Sequence, residues 1–164
     1  MTSRPSPEPP AIHRIPRVAA LPDSARAVLE SDALAHLVTL EADGRPQVSC
    51  VWVGLEHDEI VCASLGPRRK LENIRRDPRV SLSLEAQGTN QLGLRNYLVV
   101  HGNGRVTEGG GPELLQRLAH VYLGPEVKFP PMDDPPPGWV VRIAIERVGG
   151  SGPWTSQSAT TRQS

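Results

Sequence analysis

The pattern of residues predicts a mainly β protein: a small antiparallel barrel or sandwich with a few short helices. Three observations carry that prediction. Arg79–Glu85 (RVSLSLE) alternates strictly, with Val80, Leu82 and Leu84 on one face and Ser81 and Ser83 on the other, as a half-buried strand does. Asp43-Gly44 stands between two strand-like runs, and that dipeptide is the strongest short hairpin signal. About six such runs recur along the chain, and short antiparallel strands in that number close into a barrel or pack as a sandwich.

Leu21–Asp32 (LPDSARAVLESD) reads as a short helix, with Pro22 in its first turn and Ala25, Val28 and Leu29 as its apolar face. Leu34–Glu41 and Arg45–Gly54 are the two strands of the Asp43-Gly44 hairpin. Glu56–Glu59 is a turn, and Ile60–Ser64 is the third strand. A helix from Pro67 stops before Asp77-Pro78, because a residue preceding proline is pushed out of helical geometry. Arg79–Glu85 and Tyr97–Thr107 are the next strands, and Gly102 and Gly104 in the latter predict a bend or a close backbone approach. Pro112–Leu123 is a second well-marked helix, closed by Gly124. Gly138–Val148 is the last strand, giving six strands in meander order. The connection Gly124–Gly138 (GPEVKFPPMDDPPPG) is long and Pro-rich, and long loops are more often functional than decorative. Phe129 and Met132 within it are candidates for a lid over a substrate.

Composition narrows the function. The 164 residues suggest one domain, expected over 21–154, between a disordered Pro-rich tail (1–20) and a flexible polar tail (155–164). The 18 basic residues balance 18 acidic ones, so no global charge calls for nucleic acid or an anionic membrane. No apolar run approaches the roughly 20 residues that span a bilayer. The two cysteines, Cys50 and Cys62, form no scaffold pattern, and a reduced cytoplasmic setting is the expectation. Motifs for hydrolytic, zinc-peptidase or nucleotide-triphosphate chemistry are absent from the sequence.

One stretch breaks a local rule. The helix that starts at Pro67 carries Arg68, Arg69 and Lys70 in its first turn, where the unpaired N–H groups and the helix dipole favour anions. On a wheel of 100° per residue, Pro67, Leu71 and Ile74 share the packed face, Arg68 and Lys70 flank it, and Arg69 points to solvent. A bound phosphate would repair the mismatch through backbone donors, the dipole and two charge-assisted bonds. The competing reading is a solvated basic helix, which Arg75 and Arg76 at its C-terminal end favour.

The succession of a strand, the hairpin DGRPQVS, a second strand and GPRRKLENIRRDPRVSLSLE, with ERVGGSGPW closing the last strand, resembles the split β-barrel flavin and deazaflavin oxidoreductases. These form the pyridoxamine 5′-phosphate oxidase-like superfamily, and the chain looks most like the branch that uses the deazaflavin coenzyme F420. The resemblance implies a six-stranded antiparallel split β-barrel of the FMN-binding type. It implies a homodimer with cofactor grooves at the subunit interface, and a hydride passed between F420 and an unsaturated small molecule. Carried over residue by residue, it implies that Arg68 and Lys70, with Arg69 beside them, hold the cofactor's phosphate or acidic tail. Asn73 matches a polar position one turn on. Pro46, Gln47, Val48, Ser49 and Cys50 lie along the flavin-like ring, Ser64 contacts the phosphate or ribityl chain, and Tyr97 reaches the partner's cofactor. The basic, histidine-bearing C-terminal motif of pyridoxamine-phosphate oxidases proper is missing, so vitamin B6 oxidation is not expected. FMN in place of F420, or a deazaflavin- or tetrapyrrole-binding protein without turnover, are the alternatives. No residue stands out as a catalytic acid or base; His101, on a strand, is the nearest candidate.

Overall fold

The computed structural model describes residues 20–155; the expected tails fall almost wholly outside that range. In chain order the elements are α1 (Asp23–Leu29), β1 (Ala35–Leu40), β2 (Pro46–Val51), β3 (Gly54–Glu56), β4 (Glu59–Ser64), α2 (Arg69–Arg76), β5 (Arg79–Thr89), β6 (Arg95–Glu108), α3 (Gly111–Tyr122) and β7 (Trp139–Ser151).

The hairpins form where turn chemistry demands them. Gly44 takes φ +84° between β1 and β2, and Asp43 Oδ1 accepts the Arg45 N–H at 3.0 Å. His57 and Asp58 both adopt positive φ (49° and 62°) between β3 and β4, the backbone hand that two-residue hairpin turns require. That turn produces a seventh strand. The expected strand 45–54 stops at Val51, and the chain resumes as β3, which pairs with β4 as Leu55 opposite Ile60.

All seven strands join one antiparallel sheet in the order β2-β1-β5-β6-β7-β4-β3. The expected meander is therefore only partly realised. Sequential hairpins hold, but β1 also pairs β5, with Leu37 opposite Leu82, and β4 pairs β7, with Cys62 opposite Val141. Both pairings are long-range, and local alternation carries no information about them. The order also dictates the sheet's shape. Strands β2 and β3 are its two edges, yet only Trp52 and Val53 link them. Seven strands laid flat at about 4.8 Å spacing would part those edges by roughly 29 Å. The link spans at most about 11 Å. The sheet must therefore curl until its edges nearly meet, and the result is a barrel with a split.

The barrel interior holds the main core, including Leu37, Val53, Ile60, Leu82, Leu98, Val100 and Ile143, each no more than 1% exposed. Helix α2 covers one end of it through Leu71 and Ile74. Helix α3 lies outside, where Leu114 and Leu118 pack with Val61 and Val140 in a second cluster.

The two predicted strand glycines have separate reasons. The β6–β7 register shifts between His101 and Gly102, and a Cβ at Gly102 would run into the Ala144 carbonyl oxygen. A Cβ at Gly104 would stand 3.1 Å from Ile74 Cγ2, so that glycine lets α2 settle on β6. Gly102→Ala is therefore expected to lower the unfolding free energy by about 1–3 kcal/mol, the usual cost of overpacking, measured by chemical denaturation.

Candidate functional site

The start of α2 is where the sequence pointed, with one adjustment. The helix begins at Arg69, not Pro67; Arg68 is the N-cap residue in extended conformation (φ −134°, ψ 150°), and Pro67 is exposed. Arg68 offers no side-chain oxygen to cap the helix; its backbone carbonyl accepts the Leu71 N–H at 3.0 Å. Leu71 and Ile74 face the core as the wheel requires.

The three cations divide by partner. Arg69 Nη1 donates to Glu41 Oε1 at 3.1 Å in an exposed pair. Among the described residues, Arg68 and Lys70 form neither a salt bridge nor a side-chain hydrogen bond. Lys70 is half-buried and lines a cavity of about 240 Å³ with Cys50, Trp52, Ala63, Leu115 and Phe129. Its charge also reaches inward. Burial pushes the Cys62 thiol up to about 11, against a smaller opposing pull from Lys70. Cys50, on the edge strand, is exposed.

The predicted polar contacts play a second part. Asn73 is 2% exposed. It donates to Thr39 Oγ1 at 3.0 Å and accepts from Arg76 Nη2 at 2.8 Å. Thr39 in turn donates to Gln47 Oε1 (3.1 Å), and Gln47 Nε2 donates to Ser49 Oγ (3.0 Å). Arg76 also donates to the Leu40 carbonyl at 2.8 Å. Asn73, Gln47 and Ser49 thus belong to one continuous chain that ties α2 to β1 and β2. Pro46, Val48 and Cys50 occupy the exposed face of the same strand. Ser64 is buried and donates to the Gly66 carbonyl at 2.9 Å, shaping the loop that leads into α2.

Two candidates lie apart from this cluster within one protomer. Tyr97 is on β6, three strands from β2, opposite Glu85 and 46% exposed. His101 is also on β6, with Nδ1 at 2.7 Å from Ser81 Oγ. Partial burial, helped by the nearby Arg147, lowers its pKa.

Four residues at the site carried little or no signal. Trp52 stacks on Tyr122 with ring centroids 5.3 Å apart and meets Phe129 at 5.1 Å. The Tyr122 hydroxyl accepts the Val53 N–H at 3.1 Å and donates to the Ala33 carbonyl at 2.9 Å, clasping the split of the barrel from α3. Leu115 and Tyr122 read simply as helix residues. Thr39 is the exception: it follows Ala35 and Leu37 on the core-facing side of β1, and a polar group at a core position needs a partner.

A single antiparallel sheet curled until its edges nearly meet is the architecture of the split-barrel class. The chain belongs to the pyridoxamine 5′-phosphate oxidase family, whose model matches residues 21–151. Solved structures agree on the fold. An F420 reductase superposes with TM-score 0.62 at 22% identity, over 79% of this chain and 98% of that one. A hypothetical protein from Mycobacterium tuberculosis gives 0.61 at 21% identity, over 91% and 96%. General Stress Protein 26 from Bacillus anthracis gives 0.54 at 17%, over 78% and 91%. Among the described residues no helix is long and apolar enough to cross a membrane.

Removing the central amide of the polar chain orphans its neighbours. Asn73→Ala is expected to cost about 1–3 kcal/mol of stability, since Thr39 and Arg76 each lose a partner. Thermal and denaturant unfolding measure it.

Proposed function

We propose that this protein is an oxidoreductase that holds coenzyme F420 and passes a hydride between it and an unsaturated small molecule. The observation that carries this reading is the pair Arg68 and Lys70, two cations without carboxylate partners at the start of α2. An anionic group there would meet the free N–H groups of the first turn, the positive end of the helix dipole and both side chains. The residues fit a phosphate-bearing cofactor, and a deazaflavin supplies the hydride chemistry itself when bound. The chain's own part is to grip the anion and to present the β2 edge and Cys50 beside the cavity, whose walls include Trp52, Leu115 and Phe129. The likeness to an F420 reductase supports F420; FMN offers the same phosphate to the same cations and is the second reading.

A second copy of the chain completes the proposal. The outer face of β2-β1-β5-β6 carries Val48 (58% exposed) opposite Val38, Val99 opposite Ser83, and Tyr97 opposite Glu85. Burying this largely uncharged face against its own copy would hide exposed apolar surface and bring Tyr97 of each protomer towards the other's site. Sedimentation velocity is expected to give a dimer, and Val48→Lys to shift it towards monomer; a wild-type monomer at micromolar concentration would remove this part of the reading.

The cofactor test is a paired titration with F420 and FMN, followed by tryptophan fluorescence. F420 is expected to bind more tightly than FMN, and its affinity to fall with salt. Arg68→Ala with Lys70→Ala is expected to weaken it at least about tenfold, the loss of two charge-assisted bonds. Preference for FMN moves the protein to the flavin branch. Binding of neither, or indifference to both substitutions, refutes the assignment.

A further inference from the structure

The end of the barrel away from α2 holds a larger cavity, of about 830 Å³, between α1, the tip end of the β5–β6 hairpin and the turn that follows β7. No residue of β2 or α2 lines it. Asn96 does, and Gly104, against which α2 rests, lies roughly 26 Å further along β6 at the usual rise per strand residue. Asn96, Leu98 and Val100 are buried on the inner face of β6, whereas Tyr97 between them points outward. The cavity therefore lies on the opposite face of the sheet from Tyr97, and apart from the cations at the start of α2.

One polar atom there is unspent. Asn96 Nδ2 donates to the Gln87 carbonyl at 3.3 Å, and Asn96 Oδ1 has no partner. Among the described residues it is the one buried side-chain nitrogen or oxygen left in that state, and such an atom calls for an explanation. The backbone shows how it arises. Between the pairs Glu85–Tyr97 and Thr89–Arg95, residues 86–88 of β5 face Asn96 alone on β6, a bulge of the kind that re-aims a side chain. With Nδ2 committed to β5, Oδ1 is directed away from that strand, just beneath the cavity wall. The terminal torsion of an asparagine is broad, so a small turn presents the oxygen to a guest.

Beside it, Val28, Ala86 and Trp154 contribute apolar surface. The Trp154 N–H is already used on the Gly149 carbonyl at 2.8 Å, so its ring offers carbon to the cavity. The charged members of the lining, Asp32, Glu85 and Arg95, are exposed, and Arg95 pairs with Glu85 at 3.7 Å; the buried wall favours an uncharged guest. We propose that this cavity is a second ligand site, taking a small aromatic molecule that donates an N–H to Asn96 Oδ1. Aromatic surface on the guest meets the Trp154 ring. Selection is by the hydrogen bond and not by size, because a site with a buried acceptor rejects an analogue that leaves it unpaired. The site is independent of which cofactor, F420 or FMN, the start of α2 holds.

The test is calorimetric titration of the full-length protein with indole and with benzofuran, which has an oxygen in place of the indole N–H and nearly the same shape. Wild type is expected to bind indole about fivefold more tightly, the gain of one hydrogen bond. Asn96→Leu removes the acceptor at similar volume and is expected to cut that preference below about twofold while benzofuran still binds. Ala27→Trp, at an exposed position on the cavity wall, is expected to fill the cavity and abolish indole binding, and it serves where Asn96→Leu does not fold. In nitrogen-15-labelled wild type, indole but not benzofuran is expected to shift the Asn96 side-chain amide resonances. Equal binding of the two probes, binding of neither, a preference unchanged in Asn96→Leu, or indole binding untouched in Ala27→Trp overturns the proposal. Displacement of indole by saturating F420 or FMN also overturns it, because the cavity would then belong to the cofactor.

Discussion

The position of helix α2 depends on a run of side-chain hydrogen bonds from Arg76 through Asn73, Thr39 and Gln47 to Ser49. Helix α2 is only eight residues long, too short to be stable on its own. Leu71 and Ile74 anchor it to the core, but apolar contacts are non-directional and would tolerate rotation. The polar chain does not. Each bond has a preferred length and angle, and a buried amide that loses its partners is costly. Fixing Asn73 fixes the rotation of the helix, and with it the placement of Lys70 one turn earlier at the cavity and of Arg68 at the helix start.

The curl of the sheet is the second constraint, and it comes from topology. Two residues join the opposite edges of a seven-stranded sheet, so the split falls at Trp52–Val53. A split of this kind exposes backbone groups that no neighbouring strand satisfies. Tyr122 supplies a partner for Val53 from α3, and the ring of Trp52, forced out at the same place, becomes a wall of the cavity. The site thus lies where the barrel cannot close on itself.

The charges show why counting them is less informative than pairing them. Arg69 is matched by Glu41, Arg79 by Asp77, Arg105 by Glu59, and Arg117 and Arg142 by Glu56. Arg79 pulls the Asp77 carboxyl down to about 2, while most of these pairs are exposed and contribute little to stability. Among the described residues Arg68 and Lys70 lack such a carboxylate, as do Arg75 and Arg147; what sets the first two apart is their place at the start of α2.

Much of this was legible in the sequence. Asp43-Gly44, the alternation of Arg79–Glu85, the proline and glycine bounding α3 and the apolar stripe of α2 are local signals, each set by sterics and hydrophobic spacing within a few residues. They determined which segments became strands and helices and which cations would flank the packed face. The family pattern then pointed to the residues around α2. Tertiary structure alone decided the rest. The pairings β1 with β5 and β4 with β7 join distant segments, so no local pattern encodes them. The seventh strand appeared because two left-handed residues, His57 and Asp58, closed a hairpin where no glycine announced one. Asn73, Gln47 and Ser49 acquired their bonding partners, and Phe129 its place against Trp52, only once strands and helices were assembled. A polar or aromatic side chain states what it can bond to; which partner it meets is settled by the long-range packing of the chain.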